Sequence, residues 1–242
     1  MAGNESHIVS KMREGRTGRG LIAGLLVVWG ASVALGFVVL MDYQNAPGAP
    51  AEPPSQWPAS SALDPGGQTR GTLVLFAHPR CPCTRATLSE LERLLHHVQG
   101  RVTTYVVFVQ PEGYDRAWVR DHLWHRATAM PAVRPVRDVK GMEAERFGAF
   151  TSGQVLYYDE QQHLRFAGGI TGARGHEGDN KGRQALRQLI QTGTANRTST
   201  FVFGCALHRA PMNRWKSLQL SSAPQQGSSP HEHEPHPSDT IR

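Results

Sequence analysis

Apolar and polar positions divide the chain into elements of different period. Gly20 to Met41 carries no charged residue over 22 positions, enough for one helix to cross a hydrocarbon core of about 30 Å. Thr72–Ala77 is an apolar run with the length of a buried strand, and Thr84–Val98 follows with Leu88, Leu91, Leu94 and Leu95 at helical spacing. Val102–Val109 is rich in β-branched residues and predicts a second buried strand. Asp115–Met130 predicts one helix bearing Trp118, Leu123 and Trp124, stopped by Pro131. Ala132–Val136 predicts a short strand and Gly141–Phe150 a short helix. Gln154–Tyr158 and His163–Ala167, joined by Asp159-Glu160-Gln161-Gln162, have the pattern of a hairpin. A glycine-rich loop from Gly168 to Gly182 leads into a helix ending near Gln191, and Thr200–Phe203 is a last β run before Gly204-Cys205. This order predicts an α/β domain with a central mixed sheet and helices on both faces.

Charge sets the expected topology. Lys11, Arg13, Arg16 and Arg19 precede the apolar segment against only Glu5 and Glu14, and Asp42 follows it. The positive-inside bias keeps residues 1–19 in the cytoplasm, makes 20–41 a single-pass anchor in the inner (cytoplasmic) membrane, and sends the rest to the periplasm or cell exterior. A cleaved signal peptide is the competing reading, with Ala34-Leu35-Gly36 as its cleavage site. Its apolar region would be about 7–15 residues long, whereas this one continues through Leu40. Residues 42–70, with Pro47, Pro50, Pro53, Pro54, Pro58 and Pro65, read as an extended linker or stalk with little to bury. Residues 71–221 form one domain with a C-terminal extension. Residues 222–242 read as a disordered tail whose His231, His233 and His236 have the composition of a metal collector.

The chemistry concentrates in His78-Pro79-Arg80-Cys81-Pro82-Cys83-Thr84-Arg85, where a strand gives way to a helix. With Cys81 as N-cap, Pro82 falls at the first helical position, where a missing N–H costs nothing. Cys81 sulfur then faces the unpaired N–H groups and the positive end of the helix dipole. Arg80, Arg85 and a protonated His78 would add positive charge, so a lowered Cys81 pKa is expected. Thiolate is the attacking species in disulfide exchange, which makes Cys81 the candidate nucleophile and Cys83 its nearby resolving thiol. A bridge between cysteines this close is strained and easily reduced. Cys205, the third cysteine, either pairs with one of them or sits inert in the core.

With these residues in view, the stretch from Gly71 to Gln191 resembles the thioredoxin superfamily, and most of all its membrane-anchored, extracytoplasmic members. CPCTRA together with GGITGARGHEGDN is similar to a group of bacterial RedB-like proteins. The resemblance implies a thioredoxin-like three-layer fold preceded by one transmembrane helix. It implies a thiol–disulfide oxidoreductase that needs no cofactor, acting on protein thiols or disulfides with a membrane or periplasmic redox partner. Two features depart from it. The superfamily carries Cys-x-x-Cys where this chain has Cys81-Pro82-Cys83, and its cis-proline before the hairpin is replaced by Thr151-Ser152-Gly153-Gln154.

Two other classes use the same residues. His78, Cys81 and Cys83, completed by Cys205 or His208, offer an imidazole and soft sulfur ligands for copper or zinc, as in a metal-binding assembly factor. A non-catalytic interaction module with this fold is the third reading. The glycine-rich loop lacks a phosphate-binding signature, and Asp179 or Asn180 is expected to cap the helix after it. The net charge of +6 is spread along the chain, without the basic stripe of a nucleic-acid binder.

Overall fold

The structure, a computed structural model, describes residues 5–65, 67 and 70–208. Helix α1 spans Glu5–Asn45, and its part Gly20–Asn45 is long and apolar enough to cross a membrane, with a mean hydropathy of 2.3. The domain then runs β1 (Gly71–Ala77), α2 (Pro82–His97), β2 (Val102–Gln110), α3 (Arg116–Val119), α4 (His122–Ala129), β3 (Val133–Val139), α5 (Met142–Arg146), β4 (Gln154–Tyr158), β5 (Leu164–Gly168) and α6 (Lys181–Thr192). The histidine-rich tail lies outside the described residues.

Five strands form one sheet in the order β3-β2-β1-β4-β5. β1 pairs in parallel with β2, and β2 with β3, while β1 pairs antiparallel with β4, and β4 with β5. A parallel β-α-β unit joined to an antiparallel β-β-α unit is the thioredoxin-like arrangement expected from the resemblance, with β3 added at one edge. β1 is central and buried along its whole length, which explains its unbroken apolar run. Its alternate residues serve two cores. Leu73 and Leu75 pack under Leu88, Leu91 and Leu94 of α2 and Leu186 and Leu189 of α6. Val74 and Phe76 face the opposite layer with Phe147, Tyr158 and Trp57. Edge strand β3 carries Pro135 and two arginines, Arg134 and Arg137; both proline and charge discourage pairing with another chain.

Two expectations change. The single helix over Asp115–Met130 is two short ones, because Asp115 caps the first through Trp118 N–H and Asp121 caps the second through His122 N–H. Thr200–Phe203 is not a strand; isolated bridges fall on either side of it, at Ser199 and Ala206.

The proline-rich segment also differs from a stalk. It is extended, as prolines dictate, but it lies along the domain. Gly48 N–H donates to Val202 O (2.8 Å), Glu52 N–H to Gly148 O (3.0 Å), Trp57 N–H to Gln162 O (3.0 Å), and Leu164 N–H to Ser55 O (2.8 Å). Trp57, 8% exposed, sets its ring edge-on to Phe147 and Tyr158 at 5.0 and 5.2 Å. Gly148 has φ +59°, and a Cβ there would overlap Glu52 O. Ser61 Oγ and Ala62 N–H both bond the Glu143 carboxylate, at 2.6 and 3.0 Å. The strap therefore completes the second layer, which α5 alone would leave half covered.

Replacing Trp57 with Ala is expected to destabilise the domain by about 3–5 kcal/mol through cavity formation. Thermal unfolding of the detergent-solubilised chain, with limited proteolysis between Ala46 and Pro65, reads the effect. An unchanged midpoint and a resistant strap would contradict this packing.

Candidate functional site: a cysteine cluster at the start of α2

β1 delivers the chain to the turn, and two hydroxyls lock it there. His78 N–H donates to Ser152 Oγ (2.9 Å), and Thr84 Oγ1 donates to His78 O (3.0 Å) and lies 2.9 Å from Ser152 Oγ. Cys81 is the N-cap of α2 in extended conformation, and Pro82 follows at the start of the helix. Cys81 and Cys83 are 1% and 9% exposed. All three cysteines are free thiols, and Cys205 Sγ approaches Cys81 Sγ to 2.9 Å. That is closer than van der Waals contact between sulfurs and only a small movement from a bond of about 2.05 Å. Cys205 is thus neither inert nor remote; the structure seats it against the candidate nucleophile.

The three sulfurs have unequal proton affinities. Burial alone would raise the Cys81 pKa. Hydrogen bonds from the Cys205 thiol and from the N–H groups of Cys205, Thr84 and Cys83 outweigh it and leave Cys81 below an ordinary thiol. Burial pushes Cys83 up, and the negative charge on Cys81 pushes it further, against weaker help from Gly175 N–H and Arg174. Cys205 is pushed up to about 12, first by burial and then by its hydrogen bond to Cys81. Of the three sulfurs, Cys81 is the one whose thiolate the site favours, the property an attacking sulfur needs in disulfide exchange.

The cation beside the sulfurs is not one the local sequence offered. Arg80 lies 3.9 Å from Asp121 and stacks over Trp118 at 5.1 Å, and Arg85 is exposed. Neither contributes to the lowered Cys81 pKa. Arg174, from the glycine-rich loop, acts on Cys83 and Cys205 instead. Its guanidinium donates to Gly204 O (2.6 Å) and stacks over Tyr43 at 5.0 Å, while its N–H donates to Gln44 O (3.1 Å). The sequence signal was present: Arg174 is the only Arg or Lys between Gly168 and Asn180.

Glu90, fully buried on α2, holds that loop in place. It accepts from Gly178 N–H (2.8 Å) and Asn180 Nδ2 (3.2 Å), and pairs with Arg183 Nε (2.8 Å) and with Arg93. Asn180 caps α6 by accepting from Arg183 N–H (2.8 Å), as the sequence predicts. Glu92 and Arg93 stand among the same leucines and are exposed, so the sequence carried no sign that Glu90 is buried.

The metal alternative fares differently. Among the described residues, no three His, Cys, Asp or Glu side chains converge to hold an ion. His78 Nδ1 accepts from Arg80 N–H (3.2 Å), and its ring meets Trp118 edge-on at 5.6 Å. Burial, then the Arg80 charge, lowers its pKa and favours the neutral ring. His208 packs against Phe150 at 5.1 Å and lies within the fields of Glu145 and Asp138. The alternative set of His78, Cys81 and Cys83 does not come together as a three-ligand group among the described residues.

No family model matches the chain, and no curated protein matches it. Among solved structures it is similar to an uncharacterized conserved protein from Geobacillus kaustophilus, at 15% identity and TM-score 0.49, over 69% of this chain and 93% of that one. A hypothetical protein from Sinorhizobium meliloti 1021 matches at 17% and 0.47, over 67% and 93%. StoA from Bacillus subtilis matches at 15% and 0.39, over 57% and 98%. Strand order and the cysteine turn, rather than these scores, make the fold thioredoxin-like.

Cys81 is expected to alkylate with a pH midpoint below that of an unperturbed thiol, since its thiolate persists to lower pH. Cys205→Ala removes a donor to that thiolate and is expected to move the midpoint upward. The pH dependence of iodoacetamide labelling, mapped by mass, checks both; a midpoint unmoved by Cys205→Ala contradicts the role of that hydrogen bond.

Proposed function

We propose that the chain is a thiol–disulfide oxidoreductase in which Cys81 attacks and Cys205 resolves. The observation that carries this is the 2.9 Å approach of the two sulfurs at the N-cap of α2. In the reductive direction, Cys81 thiolate attacks a substrate disulfide, forms a mixed disulfide and releases one substrate thiolate. Cys205 then loses its proton and attacks Cys81 sulfur, and the second substrate thiolate leaves. The substrate gains two electrons and the enzyme ends as a Cys81–Cys205 disulfide. Cys83 donates its N–H to the reacting sulfur, and its own thiol is the strained second choice for resolution. A bridge to Cys205 closes a long loop and escapes the strain of an i,i+2 ring.

The setting is extracytoplasmic. The basic residues before the anchor and the apolar length of Gly20–Met41 favour an inner-membrane protein with its N-terminus in the cytoplasm and its domain in the periplasm or outside the cell. There a cysteine pair meets protein thiols and disulfides, and disulfides persist. A membrane or periplasmic thiol protein would then exchange electrons with the pair.

Equilibrating the detergent-solubilised chain in graded thiol/disulfide buffers, then alkylating and mapping by mass, tests this. One reversible two-electron step is expected, in which Cys81 and Cys205 disappear together while Cys83 stays free. Cys83→Ser is expected to leave the step in place, and Cys205→Ser to abolish it or move it to Cys83. Three thiols free in every buffer would overturn the reading in favour of an interaction module.

A further inference from the structure

Resting on the exchange reading above, a second inference comes from what lies across the site. The segment after α6 is not a strand of the main sheet, yet it pairs with the stretch leading into β4. Ser152 N–H donates to Cys205 O (2.8 Å), Leu207 N–H donates to Phe150 O (2.9 Å), and Thr151 and Ala206 form an antiparallel bridge. Main-chain bonds of this kind accept any extended chain; neighbouring pockets give selectivity.

The pockets are well defined. Cys205 points its sulfur to Cys81, Ala206 is exposed, and Leu207, 8% exposed, joins the second core layer with Val109 and Phe147. Before the cysteine, a Cβ on Gly204 would overlap Ser152 O, and Arg174 grips the Gly204 carbonyl. A sulfur brought by any other polypeptide must reach the same point above Cys81.

We propose that Gly204–Leu207 occupies the seat of an extended polypeptide substrate. Such a substrate docks antiparallel to Phe150–Ser152, with glycine before its cysteine and an apolar side chain two residues after it. The chain's own strand lifts out to admit it. When that strand returns it brings Cys205 back to the mixed disulfide, and tethering gives it the advantage over free thiols.

The test uses the full chain in detergent with Cys83→Ser and Cys205→Ser, so that Cys81 is the only thiol. The probe is the peptide Phe-Gly-Cys-Ala-Leu-His, its cysteine joined to 2-thiopyridine. Cys81 thiolate attacks the peptide sulfur, a new S–S bond forms as the old one breaks, and pyridine-2-thione leaves and is read by absorbance. This peptide is expected to react about tenfold faster than versions with Asp in place of Leu or Val in place of Gly. Adding Leu207→Asp to the chain loosens its own strand. It is expected to speed the peptide about tenfold relative to the small reagent 2,2′-dithiodipyridine, whose own rate reports what loosening does to Cys81 itself. If Leu207→Asp does not fold, Gly204→Ala lifts the same strand through its clash with Ser152 O. Equal rates for the three peptides, or no acceleration by the loosening variant, overturn the proposal while leaving exchange at Cys81 intact. A Cys81 that is inert to dithiodipyridine as well overturns the exchange reading and this one together.

Discussion

The chemistry of the site depends on how well Cys81 sulfur can bear a negative charge at a place from which water is largely excluded. Burial opposes that charge, so donors must converge on it. The first turn of α2 supplies N–H groups from Cys83 and Thr84, and a segment more than a hundred residues away supplies the Cys205 thiol and N–H. The Ser152 and Thr84 hydroxyls fix the turn, and Glu90 fixes the loop that holds the distant segment through Arg174. Loss of any of these contacts would weaken the support of the thiolate without touching sulfur.

Ser152 shows how a departure from the thioredoxin pattern is absorbed. A proline there would have no N–H. Serine supplies that donor, which takes the Cys205 carbonyl, and adds a hydroxyl that bonds His78 N–H and meets Thr84. The position still faces the cysteine turn, but it now fastens a strand by a bond that proline cannot make. The geometry gives the position a gained contact.

What could be read from sequence was what local physics decides. Leu73 to Phe76 announce a buried strand, and Leu88, Leu91 and Leu94 announce the helix packed on it. Cys81 and Pro82 mark the helix start because capping involves only adjacent residues. The division at Asp121 was hidden because Val119 and Leu123 keep helical spacing across it. Arg174 escaped, and the choice for Cys205 between pairing and an inert place in the core stayed open, because both places depend on closure of the whole domain: Arg80 and Arg85 are nearer in sequence but point elsewhere. In the proline-rich segment, composition correctly gave extended backbone, while Trp57 and Leu63 were the overlooked signs that it had something to bury.

The docked strap has a mechanical consequence. A free segment of residues 46–70 could extend about 80 Å and let the domain sweep a wide volume around its anchor. With Trp57 in the core and Gly48, Glu52 and Ser55 bonded to the domain, most of that length is taken up along the domain's own surface. For a helix seated in a bilayer, the domain is then leashed short, and Arg174, touching both Tyr43 and Gly204, keeps the sulfurs beside the helix end. Encounter would be governed by height above the lipid as much as by affinity, favouring chains that pass close to the membrane surface over those free in the surrounding fluid.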